Sequence, residues 1–213
     1  ELFNLNENEA SPPDGVMMSH HDIDVKVGDS VFFEAKVYPD TSVVSYQWKL
    51  IGDKKSGKLV GNWFHAMNPG EMYLQVDAEN LDLVNDTAYS VRDVCKINVF
   101  EWTEGPPQSE YLYETIVYAS LQIDDEELTN SIDGLDVVAV VKGEVRARAE
   151  MKEAYGVNYL QFRIGSYWPG EIATLECYHP ALYQRFVFQE VKLSGRTYGR
   201  LSDLVKLVGY SKD

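Results

Sequence analysis

The stretch GLDVVAVVKGEVRA, Gly134–Ala147, carries the pattern that decides the fold. An apolar run, Val137–Val141, meets Lys142-Gly143, after which Glu144–Ala147 alternates polar with apolar. A short apolar run stopped by a Lys-Gly turn and followed by period-two alternation predicts a β-hairpin. The alternation continues beyond it. Val145, Ala147, Ala149 and Met151 oppose Arg146, Arg148 and Glu150, so Val145–Met151 reads as strand, although VRARAEMKEAYG has the best helix propensity in the chain.

Outward from this hairpin the same period recurs. YLYETIVYASLQI reads as a long strand with Ile116, Tyr118 and Ser120 on one face. NYLQFRIGS alternates at Tyr159, Phe162 and Ile164 with a register break, and EIATLECYH and RFVFQEVKL complete the series. Towards the N-terminus, DIDVKVGDSVFFEAKVYP alternates around a Gly28-Asp29 turn, and EMYLQVDAEN places Met72, Leu74 and Val76 on one face. Between the two series, EGPPQSE is an extended connector, because paired prolines after glycine cannot join a ladder. The chain therefore reads as all-β, two β-sandwich domains in tandem: a polar tail at 1–19 with Pro12-Pro13, a first sandwich at 20–104 and a second at 105–213.

The sequence has 213 residues, enough to bury a sizeable core, and a net charge of −15. Residues 1–104 hold 18 acids and 8 bases, and 105–213 hold 16 acids and 11 bases. Neither half clusters the cations that displace phosphate counterions, which argues against nucleic acid and against an anionic membrane as partner. No run of 18 apolar residues occurs, so no helix of this chain is expected to span a bilayer. The chain opens without Met and without a basic-then-apolar start, so a mature chain that has lost its targeting segment is expected.

The first module resembles the PKD-type immunoglobulin-like fold and, more loosely, bacterial Ig-like repeats. The likeness covers about residues 20–101 and rests on Gly28, Val31, Phe33, Tyr46, Trp48, Pro69-Gly70 and Tyr73. It implies that Trp48 is the tryptophan buried between the sheets. The turn after the family tryptophan departs from the pattern: WKLIGDKKSG retains only Gly52-Asp53. The second module, about 110–207, resembles a β-sandwich repeat of secreted and surface proteins of Bacteroidetes-like bacteria. That likeness is carried by Ile123-Asp124-Asp125, Asp136 to Arg146, Tyr159 to Gly165, Gly170-Glu171 to Leu175, and Gly199 before LSDLVKL. Asp125 stands where the repeat has a turn glycine, and Ala147 follows Arg146 where glycine is usual. Together the resemblances imply a non-catalytic, exported accessory, adhesion or spacer segment at the outer cell surface. A carbohydrate-binding module is the alternative.

Candidate chemistry is sparse. Glu144 and Arg146 face one side of a strand, where a polar binding pair competes with an ordinary surface ion pair worth about 0–1 kcal/mol. Asp124, Asp125, Glu126 and Glu127 read as an exposed acidic turn, since no Asp-x-Asp-x-Asp-Gly loop offers Ca²⁺ its six to eight oxygens. His20, His21 and Asp22 lack a partner histidine at metal-ligand spacing, and no metal or cofactor is expected. Cys177 and His179 share a strand face, but no oxyanion donor or orienting group can be named, so no catalytic residue is assigned. Cys95 and Cys177 read as two buried strand thiols, with an interdomain disulfide as the alternative. Aromatic residues carry the binding expectation: Trp63 and Phe64 in GNWFHAMNPG, and Tyr167 and Trp168 in GSYWPG, all placed in loops. There they would contact a glycan or another surface protein. The competing reading is that they cap the open ends of the sandwiches.

Overall fold

A computed structural model describes residues 12–82 and 87–211; the first eleven residues of the expected tail lie outside this range. The protein is all-β. The one helical element among the described residues is a single 3-10 turn, Gln108–Glu110. The chain divides into two compact units, Glu1–Phe100 and Glu101–Asp213.

In the first unit, one sheet runs Asp22–Lys26, Thr87–Phe100, Gly70–Asp82 and Ser45–Gly52, with its first pair parallel. Ser30–Phe32, Trp63–Ala66 and Gly57–Val60 form a second sheet, and Gly15–Met18 pairs with Ala35–Tyr38 in a third. Met72, Leu74 and Val76 do share one face and are buried there with Val31, Phe33, Phe64, Cys95 and Ile97. Two expectations change. Gly15–Met18 is a strand, so the tail ends earlier than residue 19. Trp48 is half-buried, not central, because Ser45–Gly52 is an edge strand; Phe33, 6.5 Å from it ring to ring, fills the centre instead.

In the second unit, a five-stranded sheet runs Thr103–Glu104, Glu144–Arg148, Asp136–Val141, Ile172–His179 and Gln184–Lys192. Thr103–Glu104, expected to close the first module, pairs in parallel with Glu144–Val145 and so belongs here. The other sheet runs Glu126–Glu127, Tyr113–Ile123, Val157–Ser166 and Glu150–Ala154, with Thr197–Tyr198 and Val205–Gly209 parallel to Tyr113–Ile123. Its core face is Val117, Ala119, Leu121 and Ile123 with Leu160, Phe162 and Ile164. Leu160, and not Tyr159, therefore leads its run, and Ile116, Tyr118 and Ser120 take the outer face. A one-residue slip would turn Leu160, Phe162 and Ile164 to solvent at about 1.5–3 kcal/mol each, which pins the register.

The hairpin at 134–147 forms as expected. All of Val137–Val141 is buried. Lys142 and Gly143 both take positive φ, 52° and 85°, between the paired Val141 and Glu144. Asp124-Asp125 makes the same two-residue turn at φ 50° and 65°, so aspartate serves where the repeat has glycine. Two features were not legible. Val140 pairs with Val145 and Ala139 with Ala147, which leaves Arg146 as the extra residue of a β-bulge. The strand then changes sheets at Ala149: Glu144–Arg148 lies in one sheet and Glu150–Ala154 in the other.

Candidate functional site

The bulge re-aims Arg146. Its side chain is only 6% exposed, with Nε 2.7 Å from Glu144 Oε2 and Nη2 3.8 Å from Glu171 Oε1. The Glu144–Arg146 pair therefore forms, but its cation is buried while Glu144 stays partly exposed, and the second carboxylate, Glu171, is buried with the arginine. The guanidinium carbon lies 4.8 Å from the Tyr111 ring centre and 5.2 Å from that of Tyr167, placing one cation against two aromatic faces. Those rings meet each other at 5.0 Å, and Tyr167 meets Trp168 at 6.0 Å.

Each part of this stack has a local cause. Tyr167 and Trp168 sit in the turn between Val157–Ser166 and Ile172–His179, where the Tyr167 N–H donates to Glu171 Oε2 at 2.8 Å. Glu171 thus ties the aromatic turn to Arg146. Tyr111 fits only because Gly165 and Gly105 carry no side chain. A Cβ on Gly165 would lie 2.0 Å from the Tyr111 ring, and one on Gly105 would lie 2.8 Å from its hydroxyl. Burial pushes the Tyr111 phenol above its ordinary pKa. Its hydroxyl and Nη1 of Arg146 are buried without a hydrogen-bond partner within the protein. The outcome is a Trp168 ring, 58% exposed, standing on a stack anchored below the surface.

The expected Trp63–Phe64 pair divides differently. Both belong to the strand Trp63–Ala66 and not to a loop, so they face opposite ways. Phe64 is fully buried and cannot touch a ligand at the surface. Trp63 is 47% exposed and lies in a cross-strand row between Phe32, 41% exposed, and Val60, 56% exposed. The Phe32 and Trp63 rings are 5.1 Å apart. Phe32 could have been found, because Val31 and Phe33 pointing inward force it outward. Tyr111 and Glu171 left no comparable signal, since their role depends on glycines and a bulge far away in sequence.

Other candidate chemistry resolves into scaffold. Cys95 and Cys177 are free and buried, one in each unit, and burial pushes each thiol up to about 12. Cys177 points into the core and is a neutral thiol at pH 7, which disfavours a Cys177–His179 dyad. Asp124 accepts hydrogen bonds from the Ser211 N–H and hydroxyl, which hold its carboxyl below the usual range. His21 Nε2 lies 3.0 Å from Asp93 Oδ2, and His20 packs edge-on against Phe33. Among the described residues, no group of three or more His, Cys, Asp or Glu is arranged to hold a metal ion. No helix among them is long and apolar enough to cross a membrane.

No family model matches the chain, and no curated protein does. Among solved structures, it is similar to SGBP-B of the Bacteroides ovatus mixed-linkage glucan utilization locus, solved with a mixed-linkage heptasaccharide. The identity is 10% and the TM-score 0.26, over 85% of this chain and 48% of that one. The chain thus spans about half the length of that protein. Domains 5–6 of the S-layer protein SbsC match at 8% identity and TM-score 0.30, over 89% of this chain and all of that one. The insect immune protein hemolin matches at 12% identity and TM-score 0.26, over 95% of this chain and 51% of that one.

Proposed function

We propose that this chain is a non-catalytic, exported surface segment of two Ig-like modules, divided between Phe100 and Glu101, that recognises a partner through rigid aromatic contacts. The observation that carries the reading is the Trp168 stack. A half-exposed indole backed by Tyr167, Tyr111 and a buried arginine has little freedom to lose on binding, and preorganisation of this kind favours recognition. The finer family readings, PKD-type for the first module and a Bacteroidetes-type surface repeat for the second, belong to the same proposal. Ordered hairpins around Lys142-Gly143 and Asp124-Asp125 support the second. The acidic balance of the chain favours a neutral or basic partner over nucleic acid.

A carbohydrate-binding module is the second reading, favoured by the exposed rings of Trp168 and Trp63, which offer the flat faces on which sugar rings stack. A glycan array and a surface-protein pull-down, each run with the native chain, Trp168→Ala and Trp63→Ala, test both. On the first reading, a surface protein is captured and its capture is lost with Trp168→Ala; on the second, a glycan is captured and its capture is lost with Trp168→Ala or Trp63→Ala. Capture indifferent to both substitutions would remove the aromatic reading.

A further inference from the structure

The second unit carries a groove of about 480 Å³ that the aromatic stack does not occupy. The sheet change at Ala149 creates it. Glu150↔Gln161 is the last pair between Glu150–Ala154 and Val157–Ser166, so residues 162–166 have no strand on that edge. Val145–Arg148 of the other sheet forms the facing wall. The connector closes one side, held by the Gly105 N–H donating to the Val145 carbonyl at 3.0 Å.

The lining is polar and balanced. Arg146 and Arg148 line it from one sheet, Glu150, Gln161 and Arg163 from the other, and Gln108 from the connector. Every guanidinium has carboxylate partners. Arg146 lies against Glu144 and Glu171, Arg148 against Glu104 and Asp136, and Arg163 against both oxygens of Glu114 at 3.0 Å. Lys152 in turn holds Glu150 charged. Carboxylates outnumber guanidiniums, so an anion would gain no net attraction. These ties fix the guanidinium planes while each arginine keeps further N–H donors, and Nη1 of the nine-tenths-buried Arg146 has no hydrogen-bond partner in the protein.

Donors and acceptors fixed side by side match a ligand whose oxygens both accept and donate. Sugar hydroxyls do this: one accepts from an arginine N–H while its own proton goes to a carboxylate or amide oxygen. A peptide added to the open edge would need apolar pockets for alternate side chains, and the lining supplies only Pro106, Val145 and Ala147. The volume lies within the range of small-ligand clefts. We infer that this groove binds a neutral oligosaccharide through Arg146, Arg163, Gln161 and Glu150. The inference rests on the surface-recognition reading; it shares Arg146 with the aromatic stack but needs no contact with Trp168.

The test is calorimetric titration of the full chain with neutral β-glucan, mannan and α-glucan hexasaccharides, and with hexagalacturonate as the anionic counterpart. A neutral hexasaccharide should bind and hexagalacturonate should not. Gln161→Ala and Arg163→Ala, both outside the core, should each weaken binding about tenfold, the effect of losing one well-placed hydrogen bond. Both variants should keep the native circular dichroism spectrum, and Trp168→Ala should leave the affinity unchanged. Binding that depends on Trp168 but not on Gln161 or Arg163 sinks the groove while the aromatic reading stands. Equal binding of hexagalacturonate, displacement of the sugar by an extended peptide, or no binding by any neutral hexasaccharide also overturns it.

Discussion

Trp63 and Trp168 have similar exposure and opposite support. Trp63 lies in an apolar row with Phe32 and Val60 on a sheet face. Trp168 tops a stack whose base is the buried Arg146, paired with the buried Glu171 and the partly exposed Glu144. The first is adaptable greasy surface of the kind that tolerates many neighbours. The second is a posed ring, held because moving it would disturb the buried Arg146–Glu171 contact beneath it. An exposed tryptophan is therefore informative less through its exposure than through what lies beneath it.

If that contrast is right, the largest effect should come from the base of the stack. Arg146→Ala leaves Glu144 and Glu171 without their cation and removes the group that both tyrosines face. Scanning calorimetry should show the second unit destabilised by about 3–5 kcal/mol, the usual cost of breaking a buried pair. A loss below about 1 kcal/mol would mean that the pair behaves as a surface one. Next in size is Gly165→Ala, whose methyl would collide with the Tyr111 ring. Denaturant unfolding should register a loss of about 1–3 kcal/mol from overpacking. Gly143→Ala, in an open turn at φ +85°, should cost only about 1 kcal/mol, through backbone strain alone.

The two thiols should not discriminate between the units. Each has a folded pKa of about 12 against a reference of 9.0, so the folded state favours the protonated form. Their contribution to stability is complete below pH about 9 and is lost as pH rises towards 12. A disulfide exchange reagent at pH 8 should label neither until the chain unfolds, and rapid native labelling would contradict their burial. The smallest effects belong to the rings themselves. Trp63→Ala and Trp168→Ala should each cost about 0.5–1.5 kcal/mol, the worth of a ring–ring contact. Side-chain order measured by NMR should nevertheless separate them, with the Trp168 indole more rigid than that of Trp63.

The strand period, the Lys142-Gly143 turn and the face shared by Met72, Leu74 and Val76 were all readable, because alternation and turn chemistry act over a few residues. Trp48 was assigned the wrong depth because a tryptophan in a strand does not reveal whether that strand is central or at an edge. GNWFHAMNPG has the composition of a loop, which would leave Phe64 at the surface, whereas pairing with Val31 and Leu59 makes it strand. The turn setting of Tyr167 and Trp168 is legible in GSYWPG, whereas their support from Tyr111, Arg146 and Glu171 is not.

The hairpin at 134–147 shows where this division falls. Its sequence dictated an apolar wall, a two-residue turn and a returning strand, since each follows from local sterics and hydrophobic period. The fate of Arg146 was decided elsewhere. A one-residue bulge, two distant glycines that make room for Tyr111, and Glu171 from the aromatic turn together bury Arg146 as the base of an aromatic stack. Long-range packing settles such matters because desolvating a charge is costly, and only the assembled fold can bring enough partners to one place to offset it.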